Sequence, residues 1–185
     1  MFKKEDASLP SNYRPVSLLS CVSRILDKNV YKYIYYHLHI NKLVYKFQSG
    51  FLPGYSTTHQ LIELHDNILL ALDKKQITSI TFADISKAFD TVWIKALILK
   101  FENYGIKGKL LFWLKSNLSR RKQRAVIKDA ISSTGELKAS VPQGSVLGPL
   151  FFLIFINDVT DNMTDYLLMT LVLAIWHIMK KIYIH

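Results

Sequence analysis

The chain has 185 residues, half of them hydrophobic, and a formal net charge of +10 at neutral pH. This length allows one domain with a sizeable core, and this hydrophobic content argues against disorder over most of the chain. The positive charge favours a polyanionic partner, most simply nucleic acid, although a basic protein without such a partner has the same composition. Cys21 is the only cysteine. A single cysteine excludes an internal disulfide and a multi-cysteine zinc site, and such low cysteine content is typical of a protein in a reducing compartment.

The N-terminal part is predicted to contain an extended segment followed by a helix. Leu9–Val16 contains two prolines, which disfavour helix at the residues before them. A helix is predicted over Val22–Leu38, because apolar residues recur there at steps of three and four. Its tyrosines can stack on bases, but packing in a core or an interface is favoured for most of them. These tyrosines are Tyr31, Tyr33, Tyr35 and Tyr36.

A second helix and a strand are predicted next. Gly50–Gly54 is a turn-rich loop. Residues 57–60 read T-T-H-Q, which fits a capping box and predicts that a helix begins near Thr57. The β-branched run that follows predicts a strand over Ile77–Ala83, with Asp84 at its end.

The second half of the chain is predicted to form further helices around a β-hairpin. Gly108–Asn117 is one of the helical segments. The predicted arms of the hairpin are Gln123–Lys128 and Glu136–Val141, and its predicted turn is Ser132–Gly135. A last helix is predicted over Ser145–Ile156. Every side of this helix is apolar, so it must be buried.

Two stretches carry groups suited to chemistry. Residues 82–90 read F-A-D-I-S-K-A-F-D. A carboxylate such as Asp84 at the mouth of a sheet suits a hard cation such as Mg²⁺, but an aspartate there also commonly caps the next helix. Asp84 alone favours the capping interpretation. Residues 141–150 read V-P-Q-G-S-V-L-G-P-L, and their Gln-Gly pair predicts a turn that opens the last helix. Taken alone, this turn is an ordinary connection from hairpin to helix.

Taken together, these two stretches resemble motifs A and B of the reverse transcriptases of non-LTR (LINE, jockey-like) retrotransposons. Residues 12–19, N-Y-R-P-V-S-L-L, resemble the first fingers motif of that family. Residues 48–58, Q-S-G-F-L-P-G-Y-S-T-T, resemble the next fingers segment. Four motifs in family order, between Phe2 and about Asp161, are far more specific than any one of them.

The resemblance implies an α+β fold, with the fingers and an incomplete palm of a right-hand polymerase and with the thumb missing. It implies a partial reverse transcriptase domain over 1–161, followed by an apolar tail over 162–185. The implied function is that of the RNA-directed DNA polymerase of a LINE-like mobile element. Its implied partners are an RNA template, a DNA primer and deoxynucleoside triphosphates, and Mg²⁺ is the cofactor of an intact parent enzyme.

The same resemblance implies a metal site in the first motif. Asp84 is its first catalytic carboxylate, and the backbone carbonyl of Ile85 helps to hold the metal. Phe89 lies under the sugar and excludes a ribose 2′-hydroxyl by bulk, with ordinary core packing as the alternative. Asp90 is expected to be structural, because a residue one position past the aromatic points away from the metal.

The resemblance also implies residues that bind the nucleotide. Arg14 grips the triphosphate, for which a planar and permanently charged guanidinium is suited; a solvated arginine is the alternative. Gln143 contacts the incoming nucleotide through its amide, and Gly144 lets the backbone approach base and sugar closely. Ser145 is expected to be the N-cap of the last helix.

Basic residues cluster around the predicted hairpin. Contact with the phosphates of a template–primer duplex is one interpretation, and such contacts weaken steeply with salt. A solvated basic face is the other. The cluster consists of Lys115, Arg120, Arg121, Lys122 and Arg124.

The carboxyl end departs from the family pattern. In the family, a hairpin after motif B carries Phe/Tyr-Ala-Asp-Asp, whose first aspartate completes the metal site, whereas no Asp or Glu follows Asp165 here. A shifted reading frame explains the difference, because Met169 followed by any Thr170 codon gives GAC, an aspartate, in the neighbouring frame. Permissible codons around this pair give Leu-Phe-Ala-Asp-Asp. We therefore expect an out-of-frame tail and no polymerase activity from this chain by itself.

The sequence also admits three rival interpretations. The chain is a non-catalytic nucleic-acid-binding remnant, a basic membrane-associated protein, or a product that never folds. The apolar run Tyr166–Met179 is shorter than the roughly 20 residues that a membrane span needs. No membrane partner is therefore expected.

Overall fold

The computed structural model describes residues 12–13, 16–78, 80, 85–127, 130–137 and 139–159. Within these ranges the chain forms five helices and two small antiparallel sheets, which agrees with the predicted α+β class. The helices are α1 (Cys21–Ile40), α2 (Thr57–Asp73), α3 (Ile94–Asn103), α4 (Gly108–Leu118) and α5 (Leu147–Ile156). The strands are β1 (Lys122–Gln123), β2 (Val126–Ile127), β3 (Ala130–Ile131) and β4 (Gly135–Glu136).

The chain divides into two compact units. The first unit consists of Met1–Leu38 and Ala88–Phe155, and the second consists of His39–Lys87 and Ile156–His185. The first unit contains the residues that the sequence assigns to motif B. It also contains Phe89 and Asp90.

Helix α5 lies at the centre of the first unit's core. Its residues Leu150–Ile154 are all buried, as the apolar sequence predicts. The Phe151 ring packs edge-on against Phe101 of α3, with the ring centroids 5.3 Å apart. The Lys100 ammonium donates to the carbonyl of Phe155 and so satisfies one of the carbonyls left free at the end of α5. A fully buried apolar side chain of this size contributes about 1.5–3 kcal/mol, so this helix accounts for much of the unit's stability.

Helix α1 forms where it is predicted, one residue earlier and two residues later than the predicted bounds. Ile34 and Leu38 are buried, but the apolar residues of the first two turns are not, since Val22 is 77% exposed. The Nε2 atom of His37 donates to the Tyr104 carbonyl at 2.6 Å, which ties the end of α1 to the turn after α3. The apolar stripe of α1 is therefore buried only over its second half.

The four tyrosines of α1 fall into two pairs, one packed within the chain and one exposed. Tyr31 and Tyr35 are half-buried and stack on each other, with centroids 5.7 Å apart and planes 4° from parallel. Tyr33 and Tyr36 are 74% and 66% exposed, because they lie on the side of the helix opposite Ile34.

The predicted hairpin exists, but its predicted turn is wrong. Strand β1 pairs with β4 and β2 pairs with β3, so the chain reverses between Ile127 and Ala130. Ser132–Gly135, predicted as the turn, lies on the returning arm instead. The Ser132 side chain explains this, because its hydroxyl accepts from the Ala125 N–H at 2.8 Å and takes the place of a ladder bond. Strand β4 ends at Glu136, whereas the returning arm was predicted to run to Val141.

In the second unit, helix α2 begins at Thr57 as predicted, but the capping residue is Ser56. The Ser56 hydroxyl accepts from the His59 N–H at 3.4 Å. The predicted box fails because Gln60 is buried and its Oε1 accepts from the Ser49 hydroxyl at 2.7 Å. Asn157 holds the loop after α1 by accepting from the Tyr45 N–H and donating to a second carbonyl.

The predicted strand over Ile77–Ala83 is only partly described. Ile77, Thr78 and Ile80 are irregular, and the other residues of the segment lie outside the described residues. The predicted tail over 162–185 also lies outside them. Among the described residues, no helix combines the length and the apolar character that a bilayer crossing requires.

Candidate nucleotide-binding turn and hairpin cleft

The turn at Gln143–Gly144 is fixed by hydrogen bonds on both sides. The Gln143 carbonyl accepts from the Ser17 N–H at 2.8 Å, and the Val141 N–H donates to the Phe89 carbonyl at 2.9 Å. Residues of motif A, motif B and the first fingers motif therefore meet at one place. These segments are far apart in sequence, and the resemblance implied that they form one site.

The Ser145 side chain joins the turn to helix α5. Its hydroxyl donates to the Pro142 carbonyl at 3.0 Å and accepts from the Gly148 N–H at 2.9 Å. Acceptance from the N–H three residues later is the usual N-capping bond, which confirms the capping role predicted for Ser145. The turn is thus a preformed element rather than a loose connection.

The two glycines of this region are required for different reasons. Gly144 has a φ of +100°, and a Cβ there would be 3.6 Å from the Ser17 carbonyl oxygen, which is an ordinary contact. Its requirement is therefore conformational. A Cβ on Gly148 would lie only 2.8 Å from the Pro142 carbonyl oxygen, so the requirement there is space. Sequence reasoning missed Gly148, although a glycine inside an apolar helical run signals a close approach.

Phe89 packs in the core beneath the turn. Its side chain is 8% exposed, and its ring centroid is 5.3 Å from that of Phe152. This is the packing role given as the alternative for Phe89. Contact with a sugar stays a prediction.

Asp90 contacts the turn directly. Its carboxylate accepts from the Gln143 amide nitrogen at 3.1 Å. The bond orients the Gln143 side chain, which is the group expected to meet a nucleotide. Asp90 therefore serves the site through Gln143.

A cleft of about 360 Å³ opens beside Gln143, between the turn and the base of the hairpin. Arg121 lies in its wall and donates to the Ser140 carbonyl at 3.1 Å. Burial lowers the pKa of the Arg121 guanidinium, which nevertheless remains charged at neutral pH. The polar residues that line the cleft are Ser17, Asp90, Arg121, Gln123, Glu136, Ser140 and Gln143.

The structure divides the predicted basic cluster into three environments. Lys115 forms an ion pair with Glu102 at 2.6 Å, and Arg121 belongs to the cleft. Arg120, Lys122 and Arg124 are exposed at the base of the hairpin. Only the last three present charge outward.

The predicted metal site is only partly described. Asp84 and Arg14 lie outside the described residues, and Ile85 is half-buried. Within the described ranges, no three His, Cys, Asp or Glu side chains converge so that they could hold a metal ion. The polar side chains that the structure describes around the cleft are hydrogen-bond donors and acceptors of the kind that orient a ligand.

Asp27 of α1 is a contact that sequence reasoning missed. Its carboxyl is 5% exposed and accepts from the Val146 N–H, at the entrance to α5. Burial raises the pKa of Asp27, and the Val146 hydrogen bond partly opposes this rise. Its position on the same side of α1 as Ile34 and Leu38 is the signal that could have found it.

We expect Gly148→Ala to destabilise the first unit. The added methyl group meets a backbone carbonyl that is fixed by two hydrogen bonds, so overpacking costs about 1–3 kcal/mol. Urea unfolding measures the change. Gly135→Ala is the control, because a Cβ there has no atom within 4 Å, and a shift within about 0.5 kcal/mol is expected. Equal effects of the two substitutions would contradict the close-contact argument.

Asp27→Asn should remove a pH-dependent loss of stability. The folded pKa lies above 3.8, so the folded state binds the proton more tightly than the unfolded chain. The stability that the protonated Asp27 carboxyl contributes is fully present below pH 3.8. It is lost as the pH rises through the folded pKa. The asparagine variant should therefore gain free energy of unfolding relative to the wild type as the pH rises to neutral.

Asp27→Ala is the comparison for that experiment. It leaves the Val146 N–H without its acceptor and should cost about 1–3 kcal/mol at every pH. Urea titrations from acid to neutral pH measure both variants. An asparagine variant that loses stability relative to wild type with rising pH would show that the carboxylate is stabilising.

Comparison with known proteins agrees with this arrangement. A sequence model of the family described as reverse transcriptase (RNA-dependent DNA polymerase) matches residues 2–180. The chain is 34% identical over 155 residues to the probable RNA-directed DNA polymerase from transposon BS of Drosophila melanogaster. It is 35% identical over 149 residues to that from transposon X-element of the same species, and 34% over 151 residues to the RNA-directed DNA polymerase from mobile element jockey of Drosophila funebris.

These alignments cover 80% to 82% of this chain but only 16% of each relative. The chain thus spans about one sixth of the length of the curated relatives it matches. The family match, the level of identity and the meeting of the motifs at one turn lead to the same conclusion. The chain belongs to the reverse transcriptase (RNA-dependent DNA polymerase) family, as a reverse transcriptase domain of the non-LTR retrotransposon type.

Proposed function

We propose that this chain is the fingers and incomplete palm of a LINE-like RNA-directed DNA polymerase, able to bind nucleic acid and nucleotide but without catalysis of its own. One observation supports this most strongly. Gln143 is held by two other motif segments at once, through its carbonyl to Ser17 and through its amide to Asp90. A side chain fixed in this way is preorganised for contact with an incoming nucleotide.

The roles of the remaining site residues follow from the chemistry of polymerisation. In an intact parent enzyme, Mg²⁺ supplies charge stabilisation at the attacking and leaving oxygens. Asp84 and the Ile85 carbonyl are the oxygen donors proposed for it, since hard cations prefer such ligands. Arg14 binds the triphosphate, Gly144 admits the nucleotide close to the backbone, and Phe89 lies beneath the sugar.

The hairpin is the proposed contact with the template–primer duplex of RNA and DNA. Arg120, Lys122 and Arg124 supply exposed positive charge there, and Arg121 adds a charge in the cleft wall. Lys115 contributes less, because a phosphate must compete with Glu102 for its ammonium. Deoxynucleoside triphosphates are the proposed substrates.

The tail over 162–185 is proposed to be out of frame. The family match runs to residue 180, beyond the proposed domain boundary at 161. The boundary therefore rests on the sequence after Asp165, where the expected aspartates are missing. A single Asp84 cannot hold two metal ions in the geometry that an in-line displacement needs.

The purified chain should bind an RNA–DNA hybrid without extending it. Fluorescence anisotropy over a range of salt concentrations, with a primer-extension assay in parallel, tests this. Lys122→Ala/Arg124→Ala should reduce the slope of log affinity against log salt by roughly one per charge removed. Lys95→Ala, at an exposed position of α3, is the control and should reduce it less. Magnesium-dependent synthesis by the purified chain would overturn the claim of inactivity.

The gene should encode the missing motif in the neighbouring frame. Sequencing the DNA around codon 165 tests this directly. The expected result is a run of codons that gives Ala-Asp-Asp when read one base out of register. Codons that cannot give it would end the frameshift explanation and leave the family assignment untouched.

A further inference from the structure

The outer side of helix α1 combines positive charge with exposed aromatic rings, and the proposed function does not use it. Lys28, Lys32 and Tyr36 follow one another at four-residue steps, and Tyr33 precedes Tyr36 by three. Residues at these spacings lie on the same side of a helix, with about 5–6 Å between neighbouring Cβ atoms. We call these four residues the α1 outer face.

The rings of the α1 outer face are accessible. Tyr33 is 74% exposed and Tyr36 is 66% exposed, whereas Tyr31 and Tyr35 are half-buried and stacked on each other. An exposed ring can stack on an unpaired base. Stacking contacts of this kind are tolerant of base identity, because every base has a π face.

The charge of the α1 outer face is not neutralised by its own helix. Asp27 is the only acidic residue of α1, and it is buried on the opposite side. Within the described part of the chain, neither Lys28 nor Lys32 takes part in an ion pair. Both lysines are exposed and available to phosphate.

We propose that the α1 outer face binds single-stranded RNA, with Lys28 and Lys32 on the phosphates and Tyr33 and Tyr36 on the bases. This rests on the proposed function, in which the template is the RNA strand that the chain meets. A single strand is favoured over a duplex, because paired bases hide their faces from the rings. RNA is favoured over a protein partner, because lysine is depleted in protein interfaces and half of this face is lysine.

The test is binding of a labelled, unstructured RNA of about 12 nucleotides, within the span that one such site covers. Tyr33→Ala/Tyr36→Ala should weaken binding about fivefold or more for each ring, with the salt slope unchanged. Lys28→Ala/Lys32→Ala should reduce the slope of log affinity against log salt by about 1.4. Tyr33→Phe/Tyr36→Phe keeps the ring faces and should restore binding.

Matched control variants distinguish the loss of the α1 outer face from the effect of removing any exposed tyrosine or lysine. Tyr55→Ala removes a tyrosine that is 56% exposed in the second unit, and Lys74→Ala removes an exposed lysine there. Neither should change RNA affinity by more than about twofold. Circular dichroism melting should be the same for all variants, because the substituted side chains do not contribute to the core.

Three results would overturn the proposal. In the first, the tyrosine and lysine variants bind RNA as tightly as Tyr55→Ala does. In the second, a duplex competes as effectively as a single strand, or a DNA strand binds more tightly than the RNA of the same sequence. In the third, the tyrosine variants abolish self-association in sedimentation without changing RNA affinity. The Lys122→Ala/Arg124→Ala variant measures binding of the RNA–DNA hybrid at the hairpin. A failure of the proposed function would therefore appear in that measurement, independently of the α1 outer face.

Discussion

The candidate site depends on a pair of backbone hydrogen bonds that fix one turn from both sides. The bonds from the Ser17 N–H to Gln143 and from the Val141 N–H to Phe89 join three segments that carry the family motifs. Backbone groups make these bonds, so most side-chain substitutions leave them intact. Asp27, Asp90 and Ser145 then add side-chain bonds around the same turn. The geometry of the candidate site is therefore set by the fold itself.

The turn has buried apolar side chains below it and a charged group beside it. Below it, Phe89 and Phe152 pack with the apolar helix α5, and Asp27 is buried at the cost of a raised pKa. Beside it, Arg121 keeps a permanent charge in a half-buried wall. A rigid, apolar base under a polar rim allows a small number of polar groups to be held accurately, as in most ligand sites. The exposed charge lies farther out, on the hairpin and on α1.

The sequence predicted what depends on local pattern. Helices α1, α4 and α5 were predicted within two residues at each end, and the start of α2 was predicted at the correct residue, because periodicity, apolar content and capping residues decide where helices form. The hairpin turn was misplaced because Ser132–Gly135 has the composition of a turn, while the Ser132 hydroxyl actually pairs across the strands. The cap of α2 was shifted by one residue for a similar reason. Asp27 and Gly148 carry a local signal, but the pattern does not give the groups that they meet, which are the Val146 N–H and the Pro142 carbonyl.

The close approach of Gly148 to Pro142 has a consequence for what this stretch of sequence indicates. In this stretch Ser145 caps a helix, Gly148 fits against a carbonyl and Val141 is fully buried, so each has a reason to persist that is independent of polymerisation. Substitutions at these positions damage folding before they reach any group that would contact a nucleotide. The Val-Pro-Gln-Gly-Ser string is therefore expected wherever this fold is retained, and on its own it is weak evidence of catalysis.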